Sequence, residues 1–287
     1  MKRAMTVCAA IVLTTCAWAT TVNLSTLSGN KTLNDGDTVT GALSGLGYRV
    51  SIADGATVTL QNVYIVTNNV VDYKYEWAGI TCEGDATIVL SGNNTVHGLG
   101  AGRPGIFVPP KKTLTIRGTG SLTAAGNTFS AGIGGGYEYY RDEDKTRAGN
   151  IVIESGTIEA IGADGAAGIG AGKCCEISTG EDYTLGSITI NGGNVRAIGG
   201  ERGAGIGAGG GNRSYCGPVF INGGTVEATG GWGGAGIGSG REKCGDCEQV
   251  VITGGNVTAI GGEGAASRAM HNEKRRDATV TGMETPF

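Results

Sequence analysis

The stretch Ile188-Thr-Ile-Asn-Gly-Gly-Asn-Val-Arg-Ala-Ile-Gly199 occurs, with few changes, four times in the second half of this chain. The other copies begin at Ile151, Val219 and Val250, so that successive starts are 37, 31 and 31 residues apart. Three copies continue into a second signature, which reads Ala167-Gly-Ile-Gly-Ala-Gly, Ala204-Gly-Ile-Gly-Ala-Gly and Ala235-Gly-Ile-Gly-Ser-Gly. A repeat of this length is typical of stacked supersecondary units that share one core.

The spacing inside each repeat is that of β-strands. In the copy at Ile151, residues 151–153 and 158–160 alternate between two faces with a period of two. Ser155-Gly156 lies between these runs, and glycine allows the backbone to turn sharply there. The Ala-Gly-Ile-Gly run supplies a third short segment. The sequence therefore predicts an all-β fold, a right-handed parallel β-helix (solenoid) with glycine-rich turns.

Aligning the repeats stacks like residues in columns about 4.8 Å apart, the spacing of neighbouring strands. The predicted inward columns are Ile153, Ile190, Ile221 and Ile252; Ile158, Val195, Val226 and Val257; Ala160, Ala197, Ala228 and Ala259; and Ile169, Ile206 and Ile237. The predicted outward column, Glu159, Arg196, Glu227 and Thr258, alternates in charge, as an exposed sheet face prefers. Asn191 and Asn222 fall in register and predict an amide ladder.

Weaker copies extend the pattern towards the N-terminus. They begin at Ala56, Ala86 and Leu114. We expect one elongated domain over residues 20–265, with 20–55 as a capping coil and 149–262 as the strongest repeats. Residues 266–287 are charged and predict either a C-terminal cap or a mobile tail, since terminal repeats cover an exposed core edge.

The composition excludes several other classes of protein. Glycine is 56 of 287 residues, but 39% of the chain is hydrophobic and the glycines recur at fixed offsets, which excludes a low-complexity linker. The net charge is only −4 and the basic residues are scattered, so nothing favours a nucleic acid or an anionic membrane as partner. No stretch after the N-terminal segment is apolar and long enough for a transmembrane segment.

The N-terminus predicts export. Lys2-Arg3 precedes the apolar stretch 4–13, and Ala17-Trp-Ala19 fits the small-x-small rule for signal-peptidase cleavage. Residues 1–19 are therefore expected to be a signal peptide whose removal leaves Thr20 first. Leu13-Thr-Thr-Cys16 is a weaker match to a lipoprotein signal. The location predicted is exported, either secreted, periplasmic or at the cell surface.

Export favours disulfides, because six cysteines remain after removal of the signal peptide. Cys216 and Cys247 each stand three residues before a strand, at Val219 and Val250. In a stacked helix these positions are one strand spacing apart, within the Cα range of a disulfide. The Cys244-Gly-Asp-Cys247 motif leaves a redox or zinc site as the alternative.

The loops inserted between repeats are the first candidate site, since binding residues gather on connections held by a rigid scaffold. They run over residues 137–150, 173–187, 210–218 and 241–249, and we expect them to leave one corner of the helix. Their aromatic residues could stack on sugar rings, while nearby carboxylates accept hydroxyl hydrogen bonds. These candidates are Tyr137, Tyr139, Tyr140, Tyr183 and Tyr215. The alternative is an ordinary polar loop set in which the tyrosines pack on neighbouring loops.

A second candidate, expected at another corner, is the column that follows each Gly-Gly pair or its equivalent. It contains Asp164, Glu201, Trp232 and Glu263. The three acids predict a cation site, with calcium as the candidate cofactor, and Trp232 could stack on a sugar beside them.

The motif G-x-I-x-I-x-G-G-x-V-x-A-x-G-G followed by G-A-G-I-G resembles the glycine-rich β-helix repeats of exported bacterial surface proteins. The resemblance covers residues 56–264, and some of these relatives are described as carbohydrate-binding domain proteins. It implies an exported, non-catalytic protein that binds polysaccharide or a cell-surface glycan, often with calcium. A structural or adhesive surface protein is the alternative.

Catalysis is the less favoured interpretation. Parallel β-helices also include polysaccharide lyases and hydrolases, which need clustered acids and a positioned base. The chain has only two histidines, His97 and His271, and no Ser–His–Asp pattern. Oligomeric state is not predicted by the sequence.

Overall fold

The described part of the protein is a parallel β-helix, which confirms the predicted all-β solenoid. A computed structural model describes residues 19–44, 48–66, 78–137, 148–173, 186–211, 217–241, 247–265 and 279–281. Every strand pair within these ranges is parallel. The described helical structure is one 3-10 turn, Leu24–Thr26, and no helix in these ranges is long and apolar enough to cross a bilayer.

Three strands stack in each complete coil. The first strands are β7 Ala86–Ser91, β10 Thr113–Gly118, β13 Asn150–Ile153, β16 Ile188–Ile190, β19 Val219–Ile221 and β22 Val250–Ile252. The second strands are β8 Asn93–His97, β11 Ser121–Ala125, β14 Thr157–Ile161, β17 Asn194–Ile198, β20 Thr225–Thr229 and β23 Asn256–Ile260. The third strands are β2 Lys31–Leu33, β4 Val50–Ile52, β6 Ile80–Cys82, β9 Ile106–Phe107, β12 Ile133–Gly134, β15 Ile169–Gly170, β18 Ile206–Gly207 and β21 Ile237–Gly238.

The N-terminal coils differ from the rest because their first and second strands are continuous. The strands concerned are β3 Thr38–Ser44 and β5 Ala56–Val66, and the short strand β1 Thr21–Asn23 pairs with the start of β3. The first half of β5 pairs with β7 and its second half with β8, so β5 joins both strand columns into one sheet. At the other end, β24 Thr279–Thr281 pairs with β23. Residues 279–281 of the 266–287 segment therefore add one strand to the helix.

The inward columns have the predicted register. Ile153 faces Ile190, Ile190 faces Ile221, and Ile221 faces Ile252. The valine, alanine and third-strand isoleucine columns are equally in register and buried. Because each apolar side chain packs on its copy in the next coil, the core is continuous along the helix.

The turn between first and second strands requires glycine. Gly193, Gly224 and Gly255 have φ of 88°, 86° and 91°, values that residues with a side chain rarely adopt. A Cβ placed on Gly224 would lie 2.6 Å from the carbonyl oxygen of Gly193 in the neighbouring coil. The Gly-Gly pairs are therefore dictated by close stacking of the coils.

Polar columns on the surface confirm two further predictions. Glu159 and Arg196 are adjacent in register and form an ion pair. The Asn222 amide donates to Asn191 Oδ1 at 2.9 Å, and Thr253 Oγ1 extends the ladder by donating to Asn222 Oδ1 at 2.8 Å. These exposed contacts link neighbouring coils, and none of them indicates a ligand site.

One buried polar residue marks the point where the continuous strand β5 gives way to the separate strands β7 and β8. Asn94 occupies the inward column beside Leu122 and is only 2% exposed. Its Oδ1 accepts from Val63 N at 3.0 Å, and its Nδ2 donates to the carbonyls of Ser91 and Ser121 at 3.2 and 3.0 Å. Asn94 thus satisfies backbone groups that lose their ladder partners at this break.

Candidate functional site

The corner between second and third strands contains left-handed residues in successive coils. Phe129, Gly165, Arg202 and Gly233 have φ of 64°, 72°, 70° and 77°. A positive φ is ordinary for glycine but unfavourable for phenylalanine and arginine. Stacking on neighbouring coils fixes this conformation, because the Phe129 carbonyl accepts from Lys173 N at 2.8 Å and the Arg202 carbonyl accepts from Arg241 N at 2.7 Å.

The third strand ends in a hook that returns to this corner. In successive coils the Ala167 amide donates to the Ala171 carbonyl at 2.9 Å, and the Ala204 amide donates to the Ala208 carbonyl at 3.0 Å. The chain therefore curls back after only two strand residues. As a result, the first residue of each inserted loop lies beside the left-handed turn of the preceding coil.

This hook corrects one expectation from the sequence. The loops and the Asp164–Glu263 column were expected at different corners, but Arg241, which starts one loop, lies directly over Trp232 of that column. The expectation failed because the return path of the hook depends on backbone hydrogen bonds rather than on any hydrophobic period. The two candidate sites are therefore one surface in the described residues.

Large and small residues alternate across the corner. Lys173 covers Gly165, and a Cβ on that glycine would lie 2.6 Å from Lys173 Cδ. In the next coil the sizes are reversed, since a Cβ on Gly210 would lie 2.8 Å from Arg202 Cβ. Each of these coils thus places one long cationic side chain at the corner.

Three aromatic rings share this surface with the cations. The rings of Phe129 and Tyr137 meet edge to face with their centroids 4.9 Å apart. Lys173 Nζ lies 4.1 Å from the centroid of the Phe129 ring, and Arg241 Cζ lies 3.3 Å from that of Trp232. Trp232 is 42% exposed. We call the five residues Phe129, Tyr137, Lys173, Trp232 and Arg241 the aromatic corner.

The acids of the second candidate stand beside the aromatic corner. Asp164, Glu201 and Glu263 are all exposed. Backbone bonds from Gly165 N to Glu201 O, Arg202 N to Trp232 O and Gly233 N to Glu263 O keep their column in register. Glu201 Oε1 also lies 3.6 Å from Arg202 Nε.

These acids do not form a calcium site by themselves. Calcium takes six to eight oxygen ligands, whereas the column offers one carboxylate per coil and is interrupted by Trp232. Within the described ranges, no group of three His, Cys, Asp or Glu side chains is arranged to hold a metal. Calcium binding at this corner would need additional oxygen ligands.

Several predicted site residues lie outside the described residues: Tyr139, Tyr140, Tyr183, Tyr215 and Cys216. Cys247 is described and packs, partly buried, against the core. Val219 pairs directly with Val250, so the register on which the Cys216–Cys247 prediction depends is present in the strands. The disulfide itself stays a prediction.

Sequence reasoning missed Phe129, Lys173 and Arg241 as site residues, although a signal was available. Tyr137, Lys173 and Arg241 each stand six residues after the first alanine of the Ala-Gly-Ile-Gly run, and Phe129 stands two before it. Counting from that run places Tyr137, Lys173 and Arg241 in one column of the coils.

Comparison with known families supports the repeat. Five segments match the family model described as "Beta helix repeat": residues 114–137, 151–173, 188–210, 221–241 and 250–267. The first four matches end at the corner residues Tyr137, Lys173, Gly210 and Arg241, so the inserted loops fall between repeats. No curated protein matches the chain significantly. No solved structure matches it significantly either.

Proposed function

We propose that this beta-helix repeat protein is exported and binds extracellular polysaccharide at its aromatic corner, without catalysing a reaction. The observation that carries the proposal is the exposed Trp232 ring on the same corner as the Phe129–Tyr137 pair. The two aromatic groups are three coils apart, or about 14 Å at the spacing of parallel strands. That separation suits an extended chain of several sugars better than a single monosaccharide.

The chemistry of the corner fits a glycan. A flat ring packs against the C–H face of a sugar, and Trp232 keeps 42% of its surface exposed although Arg241 lies over its indole. The exposed carboxylates of Asp164, Glu201 and Glu263 can accept hydrogen bonds from sugar hydroxyls, while the cationic groups donate them. The rigid stack of coils holds these groups in place before binding, which lowers the entropic cost of association.

The position of the first described strand is compatible with export. Strand β1 starts at Thr21, immediately after the predicted cleavage site between Ala19 and Thr20. Removal of residues 1–19 therefore leaves the described β-helix intact. An exported protein would meet extracellular polysaccharide directly.

The test is a binding screen with protein spanning residues 20–287. Insoluble polysaccharide pull-down and a glycan array, each with calcium or EDTA, should identify a glycan, and binding that survives EDTA would remove calcium as a cofactor. Reducing-end release should stay at background, since an increase would indicate a lyase or hydrolase. Adhesion to cells without binding to any glycan would favour the adhesive alternative.

A further inference from the structure

A buried carboxylate stands at the start of the helix. Asp37 is only 2% exposed and ends the turn between β2 and β3. Its Oδ1 accepts hydrogen bonds from Thr20 N at 3.0 Å and Thr20 Oγ1 at 2.7 Å, and its Oδ2 accepts from Asn34 N at 2.9 Å. The carboxylate thus holds the residue with which the predicted mature chain begins.

The position of the Thr20 nitrogen is fixed by the strand that follows it. The Thr20 carbonyl accepts from Thr38 N at 2.8 Å, next to the first paired residues of the β1–β3 ladder, Thr21 and Thr38. The preceding Ala19 is exposed and rests beside Gly36, where an added Cβ would lie 3.1 Å from the Ala19 Cβ. Loss of Ala19 therefore leaves the nitrogen against Asp37.

We propose that cleavage between Ala19 and Thr20 converts the Thr20 nitrogen into an α-ammonium that pairs with Asp37 and locks the first coil. Water supplies hydroxyl to the Ala19 carbonyl carbon and hydrogen to the Thr20 nitrogen, and the new amine then takes a proton from solvent. The inference rests on the export part of the proposed function and not on glycan binding.

The positive charge added by cleavage is favourable because the carboxylate of Asp37 is already buried and desolvated before cleavage. Burial opposes ionisation of Asp37, yet hydrogen bonds from Asn34 and Thr20, helped by the charge of Lys31, hold the pKa of its carboxyl below the ordinary value. The carboxylate is therefore desolvated in both the precursor and the mature chain. Thr20 itself is exposed, so its ammonium keeps part of its hydration. Charge-assisted hydrogen bonds are about twice as strong as neutral ones.

The pH range in which the Thr20–Asp37 pair stabilises the fold follows from two pKa shifts of opposite direction. A carboxylate partner raises the folded pKa of the amine, so its contribution is fully present below the unfolded value of about 7.7–8.0 and is lost as pH rises through the raised pKa. The folded pKa of Asp37 is lowered, so its contribution is present above about pH 3.9 and is lost as pH falls through the lowered pKa. Among the described residues, the charge of Lys31 acts on Asp37, and Asp35 lies in the same turn.

The experiment compares three chains that differ only at the N-terminus. The first begins at Thr20 with a free amine, the second has the same amine acetylated, and the third retains Ala19; each is also made with Asp37→Asn. The acetylated chain keeps one Thr20 N–H and the hydroxyl as donors, as in the precursor, but lacks the positive charge. Urea midpoints at pH 6 and pH 10 and the α-amine pKa by NMR are measured for each.

The free Thr20 chain should have the highest urea midpoint at pH 6, should lose that advantage at pH 10, and should lose it with Asp37→Asn. Its α-amine pKa should exceed the ordinary value by about one unit. This measurement needs only the parent chain, so it still tests the proposal if Asp37→Asn fails to fold. Equal midpoints for the free and acetylated chains, or an ordinary amine pKa, would overturn the ion pair. An exported protein whose intact mass shows another N-terminus would overturn the maturation step, while glycan binding would be unaffected.

Discussion

The guanidinium of Arg241 lies over the indole of Trp232, with Cζ 3.3 Å from the ring centroid. The two residues belong to one coil and stand on either side of strand β21, so their contact exists because the chain hooks back after Ile237–Gly238. A cation over an exposed tryptophan contributes about 0.5–1 kcal/mol. The contact therefore orders the most exposed aromatic ring of the corner and joins the start of an inserted loop to the rigid coil.

The first prediction concerns the core. Ile221 is fully buried between Ile190 and Ile252, whereas its neighbour Phe220 points outward and is partly exposed. Ile221→Asp should abolish cooperative folding, because an unpaired carboxylate in this column costs several kcal/mol or more. The matched control, Phe220→Asp, should remain folded. Circular dichroism with urea titration decides, and equal midpoints for the two variants would contradict the inward register.

The second prediction concerns the buried amide of Asn94. Asn94→Ala removes the acceptor of Val63 N and the donor to two carbonyls, so it should lower the free energy of unfolding by about 1–3 kcal/mol. Asn93→Ala, on the neighbouring exposed position, should cost much less. Urea denaturation of both variants measures the difference. Comparable losses would mean that burial of the Asn94 amide is not the cause.

The architecture was predictable because alignment of the repeats gives the register of the strands. Glycine pairs mark the turn, and the residues on either side alternate, so aligning Ile190 with Ile221 places every other column correctly. The inward position of Asn94 was not predictable in the same way. Gly92-Asn-Asn94 reads as a polar turn, and only the junction of β5 with β8 turns its second asparagine into the core.

The functional corner was predictable only in part. Tyr137 and Trp232 were identified by residue type, but their common surface depends on the hook after the third strand, which is made by backbone bonds such as Ala167 N to Ala171 O. Hydrophobic periodicity carries no information about such a return. The fixed offset of Lys173 and Arg241 from the Ala-Gly-Ile-Gly run was the usable signal.

The third prediction is a disulfide between Cys216 and Cys247. Both precede strands that pair residue for residue, Val219 with Val250, by three positions. Peptide mapping of the unreduced exported protein should find this bridge, and its reduction should cost about 2–4 kcal/mol of stability. Cys216→Ser should reproduce the loss. Free thiols at both positions, or a bridge between Cys244 and Cys247, would contradict the predicted pairing.

The last prediction is that glycan binding depends on the aromatic corner. Trp232→Ala should weaken the affinity for the polysaccharide found in the screen by about 1 kcal/mol, or roughly fivefold, because it removes one exposed stacking surface. The triple replacement of Tyr137, Tyr139 and Tyr140 by Ala tests the adjoining loop and should weaken binding by a similar amount for each ring that contacts the glycan.

The control for this experiment is Tyr64→Ala. Tyr64 is 51% exposed on the outer face of β5, away from the loop insertions, so its loss should leave the affinity unchanged. All variants should keep the parent's urea midpoint to within a small margin, since none of these positions belongs to an inward column. Affinity is measured by depletion on the polysaccharide. If Trp232→Ala and the triple variant both bind as tightly as the parent, the aromatic corner is not the glycan site; if Tyr64→Ala weakens binding equally, the glycan lies along the outer sheet face instead.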